Sequence, residues 1–257
     1  AFCRVLRQCL ANIYGCTFTR NTAHEGGAIA TYTYQKTTVS RSIFNGNSTN
    51  LNGGAIWFAK DILIENCTFV GNYAPHKGSA VGCSFFMYQA GVAPVYIINC
   101  TFTGHLATDD GGIFAGGFQP LIDLQNCIVW NNESNDGSAF GNSGSLTLGV
   151  RNSIVDGGYV GEGNLDLNPK FVTNASPGAD SEWGTSDDNY GNLRLQITSP
   201  AINAGSSSAI KPIATNDLAD GLRISGLSVD LGAFENQPTP FALRESDLLT
   251  ITGSTDS

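Results

Sequence analysis

Hydrophobic and polar residues alternate in short stretches along the first 155 residues of the chain. The clearest stretch, residues 61–69, reads Asp-Ile-Leu-Ile-Glu-Asn-Cys-Thr-Phe. A period of two places Ile62 and Ile64 on one face of a β-strand. Asparagine and glycine follow such stretches at fixed offsets and supply the bends between strands. Because no stretch combines a 3.6-residue apolar period with helix caps, the pattern predicts a β-rich protein with few helices.

These stretches belong to a sequence repeat. One small residue marks each copy, at Cys16, Ser42, Cys67, Cys100, Cys127 and Ser153. The steps between these positions are 26, 25, 33, 27 and 26 residues. A glycine-led phrase, such as Gly-Gly-Ala-Ile at 26–29 and 53–56, recurs in the same register. The long step over 67–100 predicts a loop that leaves the repeat around residues 85–94.

A repeat of about 25 residues cannot bury its own apolar face, so successive copies must stack. The repeat predicts an all-β fold, a right-handed parallel β-helix in which each coil adds one rung about 4.8 Å along the axis. Leucine-rich repeats need a leucine pattern that is absent here, and propeller blades need about 40 residues. We expect coils over 1–155, irregular final coils and a C-terminal cap over 156–235, and a linker toward a downstream module over 236–257.

Three columns of equivalent residues are predicted to form structural ladders along the stacked coils. They are Cys16, Cys67, Cys100 and Cys127, then Phe18, Phe44, Phe69 and Phe102, and then Asn21, Asn47 and Asn72. Ser42 and Ser153 occupy cysteine positions, so this column requires a small residue, and inward packing is the favoured interpretation. A disulfide between neighbouring rungs is the alternative for a secreted protein. Zinc is disfavoured because the closely spaced cysteine pairs of zinc sites are absent.

The composition narrows the class of protein. Charged residues make up 14% of the chain, below the roughly 25% of an average domain. The net charge of −9 argues against a nucleic-acid partner, because nucleic-acid-binding surfaces are basic. No apolar run approaches 18 residues, so we expect no membrane-spanning helix. The first residues begin within a repeat, which indicates a piece of a longer polypeptide with flanking domains.

Two groups of phrases resemble known bacterial families. Gly-Gly-Ala-Ile alternating with Phe-x-x-Asn resembles the repeats of polymorphic outer-membrane proteins, which are β-helical surface proteins. Four later phrases, at 165–171, 183–195, 199–205 and 229–235, resemble the choice-of-anchor Q domain. That family comprises secreted bacterial β-helix proteins that carry one of several surface anchors. The resemblance implies a secreted or extracellular protein attached to a bacterial cell surface, and it implies no reaction.

An acidic loop at 178–191 is the strongest chemical signal in the chain. It concentrates Asp180, Glu182, Asp187 and Asp188 among glycines. Calcium accepts irregular cages of six to eight oxygen ligands, so a structural Ca²⁺ that stiffens the cap is one interpretation. A solvated acidic loop without a metal is the other.

An enzyme is the alternative class, because β-helices also carry polysaccharide lyases and glycoside hydrolases. The weak catalytic candidates are Asp109, Asp110 and His76, with Asp123 and Asp136 on the same expected flank. Within 61–150 the only strong base is Lys77, and no arginine or lysine lies beside the acids in sequence. The repeats also stay regular, where an active site would interrupt the pattern. The sequence therefore leaves catalysis undecided and favours a protein that is not an enzyme.

Aromatic residues offer a binding surface. Trp57, Phe85, Phe86 and Tyr88 follow a glycine-led phrase or fill the long loop. On a solenoid they would form a strip that stacks on a surface glycan or contacts a partner protein. We therefore predict a secreted or cell-surface β-helix that acts as an adhesin-like or structural binding and display module. A β-helical lyase or hydrolase is the alternative.

Overall fold

The computed structural model describes residues 3–5, 11–32, 36–58, 61–85, 95–107, 111–117, 121–134, 139–143, 147–208 and 215–237. Four parallel sheets run along this part of the chain. The first contains β1 (Cys3–Val5), β5 (Ile29–Thr31), β9 (Ile56–Phe58), β13 (Val81–Phe85), β17 (Ile113–Gly117) and β21 (Phe140–Ser143). The second contains β2 (Ala11–Tyr14), β6 (Thr37–Ser40), β10 (Ile62–Glu65), β14 (Val95–Ile98), β18 (Leu121–Gln125) and β22 (Thr147–Arg151).

The third and fourth sheets are built from shorter strands. The third contains β3 (Thr17–Thr19), β7 (Ile43–Asn45), β11 (Thr68–Val70), β15 (Thr101–Thr103), β19 (Ile128–Trp130) and β23 (Ile154–Val155). The fourth contains β4 (Thr22–Ala23), β8 (Ser48–Thr49), β12 (Tyr73–Ala74), β16 (Leu106–Ala107) and β20 (Glu133–Ser134). An antiparallel pair follows, β24 (Phe171–Thr173) and β25 (Asn192–Leu195).

Each coil contributes one strand to each parallel sheet, and equivalent strands pair in register. Phe69 pairs with Phe44 on one side and with Phe102 on the other. Every pairing among the four sheets is parallel, and the described residues contain no helix. The predicted all-β parallel β-helix is thereby confirmed.

The interior is filled by columns of apolar side chains one rung apart. Four phenylalanine rings, Phe18, Phe44, Phe69 and Phe102, stack with centroid separations of 5.0, 4.7 and 4.7 Å. Val129 and Val155 continue this column within the core. Cys67, Cys100 and Cys127 are buried beside it as free thiols. Stacked rings at this separation combine apolar burial with favourable aromatic contact.

The asparagine column joins successive coils through side-chain amides. The Asn47 amide Nδ2 donates to Asn72 Oδ1 at 2.9 Å, and the Asn21 Nδ2 donates to Asn47 Oδ1 at 2.8 Å. Each Oδ1 also accepts the backbone N–H of the preceding column residue. His105 takes the next position, and Asn132 follows it. From Asn21 to Asn132 this column therefore satisfies polar backbone groups at one corner of successive coils.

For the segment after residue 155 we expected irregular final coils and a cap, and that division of the chain stays a prediction. Residues 153–165 do add a partial rung, in which the Val155 N–H donates to the Leu165 carbonyl at 2.9 Å. The Ser153 N–H donates to Asn164 Oδ1 at 3.1 Å. In the preceding coil the equivalent N–H, that of Cys127, donates to the side chain of the next small-residue position, Ser153. Beyond this point the chain turns back along the outside of the third sheet. The two strands of this segment, β24 and β25, pair antiparallel with each other and add no strand to the four parallel sheets.

A second apolar core forms where this returning segment meets the third sheet. Its buried members are Val70, Ile128, Ile154, Phe171, Leu193, Leu195, Ala201 and Leu231. We call residues 171–195 the clip, and residues 199–208 with 215–237 the strap. Together they bury outward side chains of the third sheet, including Thr68, Thr101 and Thr103. Most of the predicted linker, residues 238–257, lies outside the described residues.

Candidate binding surface

The clip packs on a column of glycines between the third and fourth sheets. A Cβ added to Gly71 would lie 2.2 Å from a Trp183 ring carbon, and one added to Gly104 would lie 2.6 Å from another. Tyr190 stacks on Trp183 with centroids 6.2 Å apart, and its hydroxyl accepts from Arg20 Nε at 3.3 Å. The clip therefore spans the first four coils and closes this side of the solenoid.

The fourth sheet presents a row of outward side chains that differ from coil to coil. The row comprises Thr22, Ser48, Tyr73 and Leu106, each directly after a member of the asparagine column. Thr22 and Ser48 share a hydroxyl hydrogen bond of 2.9 Å, Tyr73 is half-buried, and Leu106 is 43% exposed. We call this set the fourth-sheet row. It combines hydroxyl, phenol and aliphatic groups at the spacing of parallel strands, about 4.8 Å.

The turns that follow the fourth-sheet row are held by hydrogen bonds between coils. Thr49 Oγ1 donates to the His24 carbonyl at 2.6 Å, and the His76 N–H donates to the Leu51 carbonyl at 3.3 Å. The side chains of His24 and His76 are exposed there. The row and its turns therefore form a surface whose backbone is fixed by the solenoid. Sequence reasoning missed this row, although its signal is the changing residue after each column asparagine.

Of the aromatic strip that the sequence predicted, the structure describes only the Trp57 side chain. Trp57 is 5% exposed, and its ring lies against Gly82, where an added Cβ would be 2.7 Å from a ring carbon. The Trp57 ring is therefore buried rather than presented at the surface, and a binding role for the strip stays a prediction. The side chain of Phe85 lies outside the described part of the chain, as do Phe86 and Tyr88.

Of the catalytic candidates, only His76 lies within the described residues, since Asp109 and Asp110 do not. The structure instead joins Asp123 and Arg151, 28 residues apart, in an ion pair. Burial raises the pKa of Asp123, and Arg151 opposes that rise. No arginine lies beside Asp123 in the sequence, but the fold places Arg151 of the neighbouring coil against it. Sequence reasoning missed the pair because its members belong to neighbouring coils.

The acidic loop lies within the clip, and its carboxylates bind groups of the loop itself. Asp187 accepts the Ala179 N–H at 2.7 Å and the Thr185 hydroxyl at 2.7 Å. These hydrogen bonds lower the pKa of Asp187 to about 2. Asp188 accepts from the Gly184 N–H and the Tyr190 hydroxyl, and Asp180 accepts from the Glu182 N–H. Within the described chain no three His, Cys, Asp or Glu side chains converge as a metal site.

A polar crevice lies where the strap meets the first two coils. Its volume is about 250 Å³, and it is lined by Tyr14, Gly15, Cys16, Thr17, Arg41, Ile43, Leu218 and Asp220. The Arg41 guanidinium is engaged there by the Tyr14 hydroxyl, the Asp220 carboxylate and the Asp217 carbonyl. The lining therefore fastens the strap to the solenoid.

Two segments of the chain match a known family of repeats. Residues 15–32 and 41–59 match the Chlamydia polymorphic membrane protein repeat. No curated protein and no solved structure matched the chain. The repeat match and the β-helix together point to a surface-displayed, adhesin-like protein or an outer-membrane protein. No match supports the choice-of-anchor Q resemblance, which stays a prediction. In the described residues no helix is long and apolar enough to span a membrane.

Proposed function

We propose that the protein is an adhesin-like binding and display module, secreted to a bacterial cell surface as part of a longer polypeptide. The fourth-sheet row is the proposed contact surface, and its ligand is a surface glycan or a partner protein. One observation carries this assignment. The clip and strap bury outward side chains of the third sheet such as Thr68, Thr101 and Ile128, whereas Leu106 on the fourth sheet is exposed in a row of changing side chains.

The proposed mechanism is presentation at fixed spacing. Parallel pairing in register sets each residue of the row one rung from the next. Because the backbone is already ordered, binding loses little further conformational entropy. Several weak contacts on one rigid surface then act together on a repetitive or extended ligand.

This proposal is tested by comparing the ligand binding of wild type with that of a row variant and a control variant. Tyr73→Ala combined with Leu106→Ser removes the two largest side chains of the described row. Ile224→Ser is the matched control, because Ile224 is 47% exposed but lies on the strap. Immobilised protein is offered panels of glycans and of cell-surface proteins. We expect the row variant to lose at least tenfold in affinity for the ligand that wild type retains. Equal retention by wild type and both variants would contradict the proposal.

A second proposal is a polysaccharide lyase or glycoside hydrolase, for which Asp123 beside Arg151 is the supporting observation. Burial favours the protonated carboxyl of Asp123, which is the form of a general acid. Product release from a polysaccharide panel, abolished by Asp123→Asn, would support this class. Retention of a polysaccharide without turnover would support the binding module.

A further inference from the structure

Arg41 lies at a bend position that the other coils fill with glycine or asparagine. This position directly precedes the small-residue column, and its other occupants are Gly15, Asn66, Asn99, Asn126 and Asn152. The backbone is left-handed at all six residues, with φ of 49° at Arg41 and between 45° and 62° at the others. Glycine and asparagine tolerate this conformation, whereas arginine is strained in it. A strained residue at such a bend indicates a role for its side chain.

The Arg41 guanidinium lies in the polar crevice between the strap and the first two coils. Its Nε donates to the Asp217 carbonyl at 2.9 Å, and its two terminal nitrogens donate to the Tyr14 hydroxyl and the Asp220 carboxylate. Its Cζ also lies over the Tyr14 ring, 5.2 Å from the centroid. A guanidinium has five N–H donors, so these three hydrogen bonds to described residues leave two N–H groups for another acceptor.

Asp220 is the partner of Arg41 that a ligand can replace at the lowest cost. The Asp220 side chain is 82% exposed, whereas that of Arg41 is 12% exposed. An ion pair with so exposed a partner contributes little to stability. The Asp217 carbonyl and the Tyr14 hydroxyl keep the guanidinium in place when Asp220 leaves. Because a guanidinium binds carboxylates through parallel hydrogen bonds, an incoming carboxylate can take the position of Asp220.

The rest of the crevice suits a small ligand with both a ring face and hydroxyl groups. Its volume of about 250 Å³ is just below the roughly 300–1,000 Å³ of pockets that hold drug-sized ligands. Space opens beside Gly15, where an added Cβ would meet nothing within 4 Å. The Tyr14 side chain is 61% exposed and offers an aromatic surface, and Thr17 and Cys16 line the crevice with a hydroxyl and a thiol. One sugar unit matches these features.

The charge of the first coils favours an anionic ligand. Residues 1–60 contain six basic residues and one acidic residue, although the whole chain carries a net charge of −9. A local excess of positive charge raises the concentration of anions near the surface. The crevice lies within these coils, so the carboxylate of a sugar acid is favoured over an uncharged sugar.

We propose that the crevice is a binding site for a sugar acid, and that Asp220 occupies the carboxylate position until the ligand replaces it. Arg41 binds the ligand carboxylate, Tyr14 packs on the sugar ring, and Thr17 forms a hydrogen bond with a ring hydroxyl. The site shares no residue with the fourth-sheet row and does not depend on the function proposed for that row.

Titration with sodium glucuronate tests the site, with glucose and acetate as comparison ligands. Ligand-observed NMR on the whole chain measures the three dissociation constants at low salt. We expect glucuronate to bind at least tenfold more tightly than glucose, which lacks the carboxylate, and than acetate, which lacks the ring. Glucuronate should also slow the alkylation of Cys16 by iodoacetamide, because this thiol lines the crevice. Mass spectrometry of the peptide that contains Cys16 measures the alkylation rate.

Two variants should change the glucuronate affinity in opposite directions. Arg41→Gln should lower it at least tenfold, because the charged donor is lost. Asp220→Asn should raise it by up to about fivefold, because the competing carboxylate is removed. Arg20→Gln is the matched control and should bind as wild type. Arg20 also has a left-handed backbone, and its side chain binds Tyr190 of the clip outside the crevice.

Three results would overturn the proposal. The first is a glucuronate affinity no higher than that of glucose or acetate. The second is a Cys16 alkylation rate that saturating glucuronate leaves unchanged, which would place the ligand elsewhere. The third is an Asp220→Asn variant that binds glucuronate no more tightly than wild type. Because Asp220 is exposed, this variant keeps the test decisive even if Arg41→Gln fails to fold.

Discussion

His105 occupies a position that asparagine fills in the neighbouring coils. Its Nδ1 accepts the Asn72 N–H at 3.1 Å, and its Nε2 is buried without a hydrogen-bond partner. Nδ1 accepts this N–H in the tautomer that carries its proton on Nε2, and burial favours the neutral imidazole. Burial, the largest influence, lowers the pKa of His105 to about 3.

This lowered pKa predicts sensitivity to acid. Because the unfolded chain binds a proton near pH 6.5 and the native histidine resists it, stability falls as the pH drops from 6.5 toward 3. The loss is about 1.4 kcal/mol per pH unit within that interval. His105→Asn restores the column residue and should flatten the dependence. Urea unfolding at pH 7, 5.5 and 4.5 measures the difference, and parallel profiles for the two proteins would contradict the prediction.

The cysteine column uses sulfur as a hydrogen-bond acceptor. Cys127 Sγ accepts the Cys100 N–H at 3.4 Å, and burial raises the pKa of Cys127, which keeps it a thiol. Ser42 and Ser153 accept equivalent N–H groups at 3.1 and 3.0 Å. Small size and an acceptor atom are therefore what this position requires.

Substitution of Cys127 separates these two requirements. Cys127→Ala leaves the buried Cys100 N–H without an acceptor, which should cost about 1–3 kcal/mol of unfolding free energy. Cys127→Ser keeps an acceptor and should retain more stability than the alanine variant. Urea denaturation midpoints compare the two, and equal losses would show that volume alone matters.

At the scale of elements, the glycines at the bends between strands fall into two groups. Gly15, Gly71 and Gly104 all have positive φ, where residues with a Cβ are disfavoured. Gly15 has open space beside it, whereas Gly71 and Gly104 lie against the Trp183 ring. The second group of glycines therefore also makes room for the clip.

A pair of alanine variants distinguishes backbone strain from loss of clip packing. Gly15→Ala should cost only the strain of a positive φ, about 1–2 kcal/mol. Gly71→Ala should cost more, because Trp183 must move as well. Urea unfolding measures stability, and tryptophan fluorescence should shift to the red for Gly71→Ala alone. Equal stability and equal spectra would contradict the packing that we describe.

For the whole molecule, calcium stays a proposal for the acidic loop. If Ca²⁺ stiffens the clip, the melting temperature should be several degrees higher in millimolar Ca²⁺ than in EDTA. Asp180→Asn combined with Glu182→Gln should remove that difference. Equal melting temperatures in wild type would contradict the calcium proposal, and would leave the hydrogen bonds of Asp187 and Asp188 as the stabilising contacts.

The sequence predicted the contacts that recur from coil to coil, and it did not predict the contacts that occur only once. The repeat predicted strands that pair one coil apart, such as Phe44 with Phe69, because each coil must bury its face on its neighbour. Asp123 and Arg151 also lie one coil apart, but a diagonal pair on the outer face leaves no periodic signal. Trp57 is buried, whereas the sequence placed it in a surface strip, because an aromatic residue after a glycine-led phrase fits either environment.

The amino-acid sequence by itself determined the solenoid: its period, its parallel register and the residues of its interior columns follow from one repeated pattern. Tertiary structure alone decided where the last third of the chain lies. Contacts such as Arg20 with Tyr190 and Thr101 with Ala233 span 170 and 132 residues. Each of these contacts joins the repeated coils to a segment without repeats, so the repeat pattern in the sequence gives no sign of them. The returning segment covers the third sheet around Thr101 and Ile128, and that cover leaves the outward residue Leu106 of the fourth sheet exposed.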